Sequence, residues 1–208
     1  METLRIAIVG GGISGLTTYL QLRKQFSSAN AETSTTPCLD ITIFESHDLP
    51  AHNYDRNLAS PSSAPSVGGG YGLAANGMHS LHRLDPDIYQ HILRNSFPTP
   101  RFQMRTRQGW TLGAIGTVIE YPEGPESCCM VTREVVLEAL YFKVPKEVIE
   151  IRKVVEVVDG GAEARVILEG DEERALDLVI GADGIWSKTR RAISGENDGP
   201  EYRCGVFH

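Results

Sequence analysis

The opening residues set a clear pattern. Leu4 to Val9 is an almost unbroken apolar run, as expected of a strand covered on both faces. Glycines follow at once. From about Ser14 to Gln25 the apolar positions Ile13, Leu16, Tyr19 and Leu20 then fall at helical spacing. The polar stretch Ser27–Pro37 has no periodicity and predicts a surface loop. After it, Ile41 to Phe44 predicts a second apolar strand, ending in Glu45. Strand, glycine turn, helix, loop and strand together make a βαβ unit.

Further along, the pattern loosens. Pro, Ser, Asn and Ala dominate from His47 to Gly69, predicting a long loop of the kind that carries function in compact domains. Gly68–Gly72 predicts a turn and Asn76–Leu84 a helix. Alternation near Phe102–Thr106 and Trp110–Glu120 predicts antiparallel strands. Thr132 is placed to cap a helix running to about Tyr141, with Val135, Val136, Ala139 and Leu140 on its apolar side. Short strands are predicted at Glu147–Ile151, Val154–Val158 and Ala164–Leu168, with a hairpin turn at Asp159-Gly160-Gly161. Leu176–Ile180 predicts a buried strand, and Ser187 caps a short helix through Ala192.

Composition mainly excludes alternatives. The 208 residues are 41% hydrophobic and 23% charged, near the globular average. A net charge of −7 argues against a nucleic-acid partner, since phosphate recognition needs clustered Lys and Arg. The basic runs Arg101–Arg107 and Lys188–Arg191 read as solvated faces. No apolar stretch reaches the ~18 residues of a membrane span, and Glu2 with four nearby glycines is wrong for a signal peptide. Cys38, Cys128, Cys129 and Cys204 form neither a CxxC pair nor a zinc spacing, so a reducing, cytoplasmic compartment is the simpler expectation. The six histidines are scattered and no metal site is expected. His79 and His82, on one predicted helix face, read as surface residues.

The first chemical motif is Gly10-Gly11-Gly12-Ile13-Ser14-Gly15, a GxGxxG between a buried strand and a helix. Gly10 permits the tight turn, Gly12 lets backbone approach a pyrophosphate, and Gly15 lets helix and sheet pack closely. The helix start then offers the free N–H groups around Ile13 and Ser14, with the positive dipole end. Glu45, at the end of the second strand, can accept hydrogen bonds from both ribose hydroxyls of an adenosine. It lies 30 residues beyond Gly15, against about 20 in the usual fingerprint. The Ser27–Pro37 loop accounts for the difference, because added loop length is thermodynamically cheap. These two features do not separate one dinucleotide from another.

A third motif does. In Leu178-Val179-Ile180-Gly181-Ala182-Asp183-Gly184, followed by Ser187 and Arg190, a strand delivers Asp183 at its carboxyl edge and Gly184 leaves room for a ligand. This GADGxxSxxR stretch resembles the second fingerprint of the FAD-dependent monooxygenases typified by para-hydroxybenzoate and salicylate hydroxylases. Gly70-Tyr71-Gly72, leading into Asn76-Gly77-Met78, looks like that family's loop beside the flavin. Arg133 is similar to its helix-opening arginine that contacts the cofactor.

The resemblance implies an α/β fold, with a Rossmann-like FAD-binding domain that has a parallel central sheet, antiparallel crossover strands and the start of a substrate-domain sheet. Its core falls at 1–84 and 132–194, with antiparallel substrate-side strands at about 100–122. The resemblance also implies that the domain is incomplete within residues 1–208. The implied cofactor is FAD, with NADH or NADPH as co-substrate and a small, aromatic substrate as partner. The flavin carries the hard chemistry, so no catalytic base is named. Departures from the family pattern are Tyr19 in the first helix, Ser46 after the ribose acid, the long His47–Gly69 loop, and the chain's shortness. Two other readings stay open, a non-catalytic flavin-binding remnant and an NAD(P)-dependent dehydrogenase.

Overall fold

In a computed structural model, which describes residues 3–29, 37–47, 69–161 and 163–195, the opening run becomes β1 (Thr3–Val9). It is followed by α1 (Ile13–Ala29) and β2 (Cys38–Glu45). Next come β3 (Gly70–Leu73), α2 (Ala75–Leu84), α3 (Pro86–Arg94) and β4 (Phe97–Thr99). Two hairpins follow, β5 (Arg101–Arg105) with β6 (Thr111–Gly116), and β7 (Ile119–Tyr121) with β8 (Gly124–Glu126). Then come β9 (Cys128–Thr132), α4 (Arg133–Tyr141), β10 (Ile149–Ile151), β11 (Val154–Asp159) and β12 (Ala164–Leu168). The remaining elements are β13 (Glu173–Leu176), β14 (Leu178–Gly181) and α5 (Lys188–Ser194). The described residues fall into two compact units, Met1–Leu49 with Val144–His208, and Pro50–Lys143.

The first unit is built on a parallel sheet ordered β10-β2-β1-β14. Ile6, Ala7, Ile8 and Val9 of β1 and Ile41, Ile43 and Phe44 of β2 are buried, as the apolar runs predict. α1 sets Leu16 and Tyr19 into the core. The large Tyr19 is thus accommodated, with burial pushing its phenol pKa up. Ala7, Val9 and Phe44 share a second cluster with Val154, Val157, Val166, Leu168 and Leu176 of the antiparallel β11-β12-β13 sheet. Each large apolar side chain buried this way contributes roughly 1.5–3 kcal/mol.

Several predicted boundaries move. α1 runs through Ala29, taking Ser27 out of the predicted loop. Extending a formed helix fixes one residue per added bond, and nothing at 27–29 breaks it. Residues 30–36 and 48–68, most of the two predicted loops, lie outside the described residues. The single buried strand expected at Leu176–Ile180 is two strands, and β14 is exposed or half-buried. Asp177 divides them, because its N–H donates to the Arg5 carbonyl (3.0 Å). Its carboxylate accepts from the Arg5 backbone N–H and guanidinium, both at 2.8 Å. At Glu147–Ile151 a 3-10 turn takes the first positions and only Ile149–Ile151 is strand.

The second unit pairs a β3-β9-β4 antiparallel sheet with α2, α3 and α4. Its core holds Met78, Leu81, Ile88, Ile92, Val136 and Leu140. α3 was not predicted, although Asp85-Pro86 signals its start. The Asp85 carboxylate accepts from the N–H of Asp87 (2.7 Å) and Ile88 (3.4 Å), and Pro86 needs no acceptor. Gly70–Leu73 is a strand rather than a turn. Thr132 stands before α4, but its side chain makes no capping bond. Trp110–Glu120 is broken at Thr117, whose hydroxyl donates to the Thr99 carbonyl at 2.5 Å. Among the described residues no helix is long and apolar enough to cross a membrane.

Candidate functional site

In the first unit, three parallel strands end on one edge. β1 ends at Val9, β2 at Glu45 and β14 at Gly181, with Val9 in register with both Phe44 and Gly181. Gly10 continues this edge. Its N–H donates to the Phe44 carbonyl (2.8 Å), and on the other side Ala182 N–H donates to Val9 (2.8 Å). The chain turns at Gly10 with φ of +106°, and a Cβ there would run into the Ala182 carbonyl. A Cβ at Gly15 would overlap the Gly10 carbonyl oxygen. These glycines therefore let turn, helix and neighbouring strand meet as closely as the motif requires. α1 begins with Leu16 N–H on the Gly12 carbonyl (3.0 Å) and has no acid in its first turn. The N–H groups that precede this bond have no intrahelical acceptor, and the dipole's positive end lies with them.

The Glu45 carboxylate sits directly beside this turn. Oε2 accepts from Gly11 N–H at 2.7 Å, while Oε1 accepts from His47 N–H at 3.1 Å and lies 3.2 Å from Ser46 Oγ. The structure thus adds Gly11, Ser46 and His47 to the predicted set. Their adjacency to the motif residues was the available sequence signal. Asp183 lies on the same edge, past β14. Its carboxylate is engaged by Ser187 Oγ (2.6 Å), Lys188 N–H (2.6 Å) and Thr189 N–H (3.3 Å). Ser187 in turn caps α5 through Arg190 N–H at 2.9 Å, as its position predicts. Asp183 therefore holds the start of α5, a task sequence reasoning did not assign to it. Next to it Gly184 has φ of +74°, and a Cβ there would meet nothing within 4 Å among the described residues, which leave this side of the edge open.

Asp183→Ala should accordingly lower the stability of the first unit by about 2 kcal/mol, the upper range for a lost helix cap. Asp183→Asn, which keeps an acceptor, should lose about half as much. Urea unfolding of the three proteins checks both.

The second unit gathers the other predicted residues. Pairing of β3 with β9 sets Gly70 opposite Thr132, Tyr71 opposite Val131 and Gly72 opposite Met130. Arg133 N–H donates to the Gly69 carbonyl at 3.4 Å, so Arg133 lies beside Gly70 at the sheet's end. The Tyr71 hydroxyl is buried and has no hydrogen-bond partner among the described residues. Burial pushes its pKa up, and the Arg133 charge opposes that shift. His79, 13% exposed, is not the surface residue expected, whereas His82, 34% exposed, stays at the surface. His79 stacks on Tyr121 at 3.8 Å, and His82 stacks on Tyr89 at 4.5 Å. The buried Glu126 carboxylate accepts from Tyr89 at 3.0 Å and lies 3.3 Å from His82 Nδ1. Cys38, Cys128 and Cys129 are free thiols.

A parallel sheet whose strand order reverses beside β1, with a glycine turn and an acid at the reversal, defines a Rossmann-like dinucleotide-binding fold. No protein-family model matches the chain. Its homologues are FAD-dependent monooxygenases of the salicylate hydroxylase kind. It is 28% identical over 205 residues to 6-methylsalicylate 1-monooxygenase of Aspergillus terreus, a match covering 92% of this chain and 40% of that protein. With salicylate hydroxylase of Pseudomonas putida the identity is 27% over 202 residues, covering 95% and 40%. The solved structure of CtdE in complex with FAD shares the fold, with a TM-score of 0.63 at 17% identity, over 96% of this chain and 43% of that one. The chain thus spans well under half the length of these relatives.

Proposed function

We propose that the first unit binds FAD along the carboxyl edge of its parallel sheet. The protein acts as an FAD-dependent monooxygenase, using NAD(P)H and O2 to oxygenate a small organic, aromatic substrate. The observation that carries this reading is the arrival of Glu45 and Asp183 on one edge, at the end of β2 and just past the end of β14, the strands that flank β1 and its glycine turn on either side. The residues present fit the cofactor. Gly10 and Gly15 keep the turn tight, and an acid-free helix start offers amides around Gly12, Ile13 and Ser14 to a pyrophosphate. Glu45 accepts the ribose. Asp183 orders the α5 start beside the open space at Gly184. Gly70, Tyr71, Gly72 and Arg133, which resemble the family's flavin loop and helix-opening arginine, come together at one end of the second unit's own sheet. Bound FAD supplies the redox chemistry, and the protein's part is to hold it, exclude water and orient the substrate.

Titration of the purified chain with FAD, followed by flavin fluorescence, tests this. Reversible FAD binding is expected, weakened about tenfold or more in Glu45→Ala, as for loss of a charge-assisted hydrogen bond. Preference for NAD with no flavin binding would instead indicate a dehydrogenase. FAD binding without substrate-stimulated NAD(P)H oxidation would indicate a non-catalytic remnant.

A further inference from the structure

Resting on the cofactor reading above, we propose that Ser46 and His47 control how many ribose hydroxyls Glu45 can accept. They do so through the single hydroxyl proton of Ser46. A carboxylate has about four lone-pair sites. Here the Gly11 N–H takes one on Oε2 and the His47 N–H takes one on Oε1. Ser46 Oγ lies 3.2 Å from the same Oε1 and 2.8 Å from His47 Nδ1. Its one proton cannot serve both acceptors.

With the imidazole neutral and its proton on Nε2, Nδ1 is an acceptor and takes the shorter Ser46 bond. One lone pair on each Glu45 oxygen is then free, enough for the two hydroxyls of an adenosine ribose. With the imidazole protonated, Nδ1–H becomes the donor and Ser46 Oγ the acceptor. The serine proton, no longer held by Nδ1, then turns onto Glu45 Oε1, 3.2 Å away, and fills the site that a ribose hydroxyl would use. Nothing is oxidised or transferred; one proton is taken from solvent and one hydroxyl rotates.

The imidazolium charge acts in the opposite direction, because it attracts a pyrophosphate. The His47 side chain is 88% exposed, however, so that charge is screened by water and salt, whereas the hydrogen-bond reversal is local. Among the described residues the charged group facing the ring is Glu45 itself, at 3.7 Å. Hydrogen-bond direction therefore sets the sign. Dinucleotide affinity falls as His47 gains a proton. Ser46 and His47 are positioning residues, acting through Glu45.

The test measures FAD affinity of the parent chain, Ser46→Ala and His47→Gln at about pH 5.5 and about pH 8, a range that brackets histidine titration. ADP and 2′-deoxy-ADP serve as further probes. The parent should bind FAD and ADP about threefold to tenfold more tightly at the higher pH, the worth of one hydrogen bond. Both variants should lose that difference, with Ser46→Ala binding at either pH as the parent does at the higher one. For 2′-deoxy-ADP, which needs one acceptor fewer, the parent should show little pH effect. A pH dependence kept in Ser46→Ala, or none in the parent, would overturn the inference while leaving FAD binding intact. Absence of FAD and ADP binding in every form would overturn the cofactor reading and this inference together.

Discussion

Gly10→Ala should be among the most damaging substitutions in the first unit, lowering its stability by roughly 2–6 kcal/mol. Two terms combine. A non-glycine residue at φ of +106° lies far outside the comfortable backbone regions, a strain of about 1–3 kcal/mol. The new Cβ also meets backbone, the Ala182 carbonyl, which cannot rotate aside as a side chain would. Overpacking of that kind adds about 1–3 kcal/mol. Gly161→Ala separates the terms, since Gly161 also has positive φ (+78°) but open space around its would-be Cβ. It should lose only the strain part. Urea unfolding provides the comparison, and domains with about 5–15 kcal/mol in total leave room to see it. Relief of the Gly10 clash must push Ala182 and Asp183 away from β1, so FAD affinity should collapse in Gly10→Ala and survive in Gly161→Ala. Equal stability losses in the two variants would remove the close-approach account of the turn.

Phe44→Ala should lower stability by about 3–5 kcal/mol, the range for truncating a buried aromatic. Phe44 is 2% exposed and packs in the cluster that joins β1 and β2 to the β11-β12-β13 sheet. The Arg174 guanidinium lies 5.6 Å from its ring centroid, and that guanidinium also pairs with Glu150 (2.7 Å) and Glu172 (3.0 Å). Loss of the ring therefore opens a cavity and takes away a surface on which a charged network rests. The functional consequence follows from position. The Phe44 carbonyl accepts from Gly10, and the next residue is Glu45. A slackened β2 end should weaken FAD binding along with stability. Phe44→Leu, which refills much of the volume, should lose about half as much. Thermal and urea unfolding, with FAD titration at a temperature where the variants remain folded, check both effects.

Much of the candidate site was legible because it is local. The GxGxxG turn, the helix after it, the second strand ending in Glu45 and the Ser187 cap each depend on residues a few positions apart, where period and turn chemistry suffice. The β11–β12 hairpin was legible for the same reason. Its turn is held by the Asp159 carboxylate accepting from Gly161 N–H at 2.8 Å. α3 also carries a local signal, Asp85-Pro86 at its start. Other features had no local signal. Leu176–Ile180 looks like one strand until Arg5, 172 positions earlier in the chain, claims Asp177. Gly70–Leu73 has turn composition, and only pairing with β9, far along the sequence, makes it a strand. His79 looked solvated because Tyr121, which covers it, comes from another element.

By itself the sequence determined most of the element types, the glycine turn and the acids proposed to meet a dinucleotide, because steric limits on φ and ψ and the periodicity of apolar residues act over short range. Tertiary structure alone decided the strand order, and with it the meeting of Glu45 and Asp183 on one edge. It also decided that Asp183 spends its carboxylate on α5 and that Ser46 stands between two acceptors. The reason is physical. Strand pairing and hydrogen-bond partnership are won in competition among groups distant along the chain, and that competition is resolved only when packing brings them together.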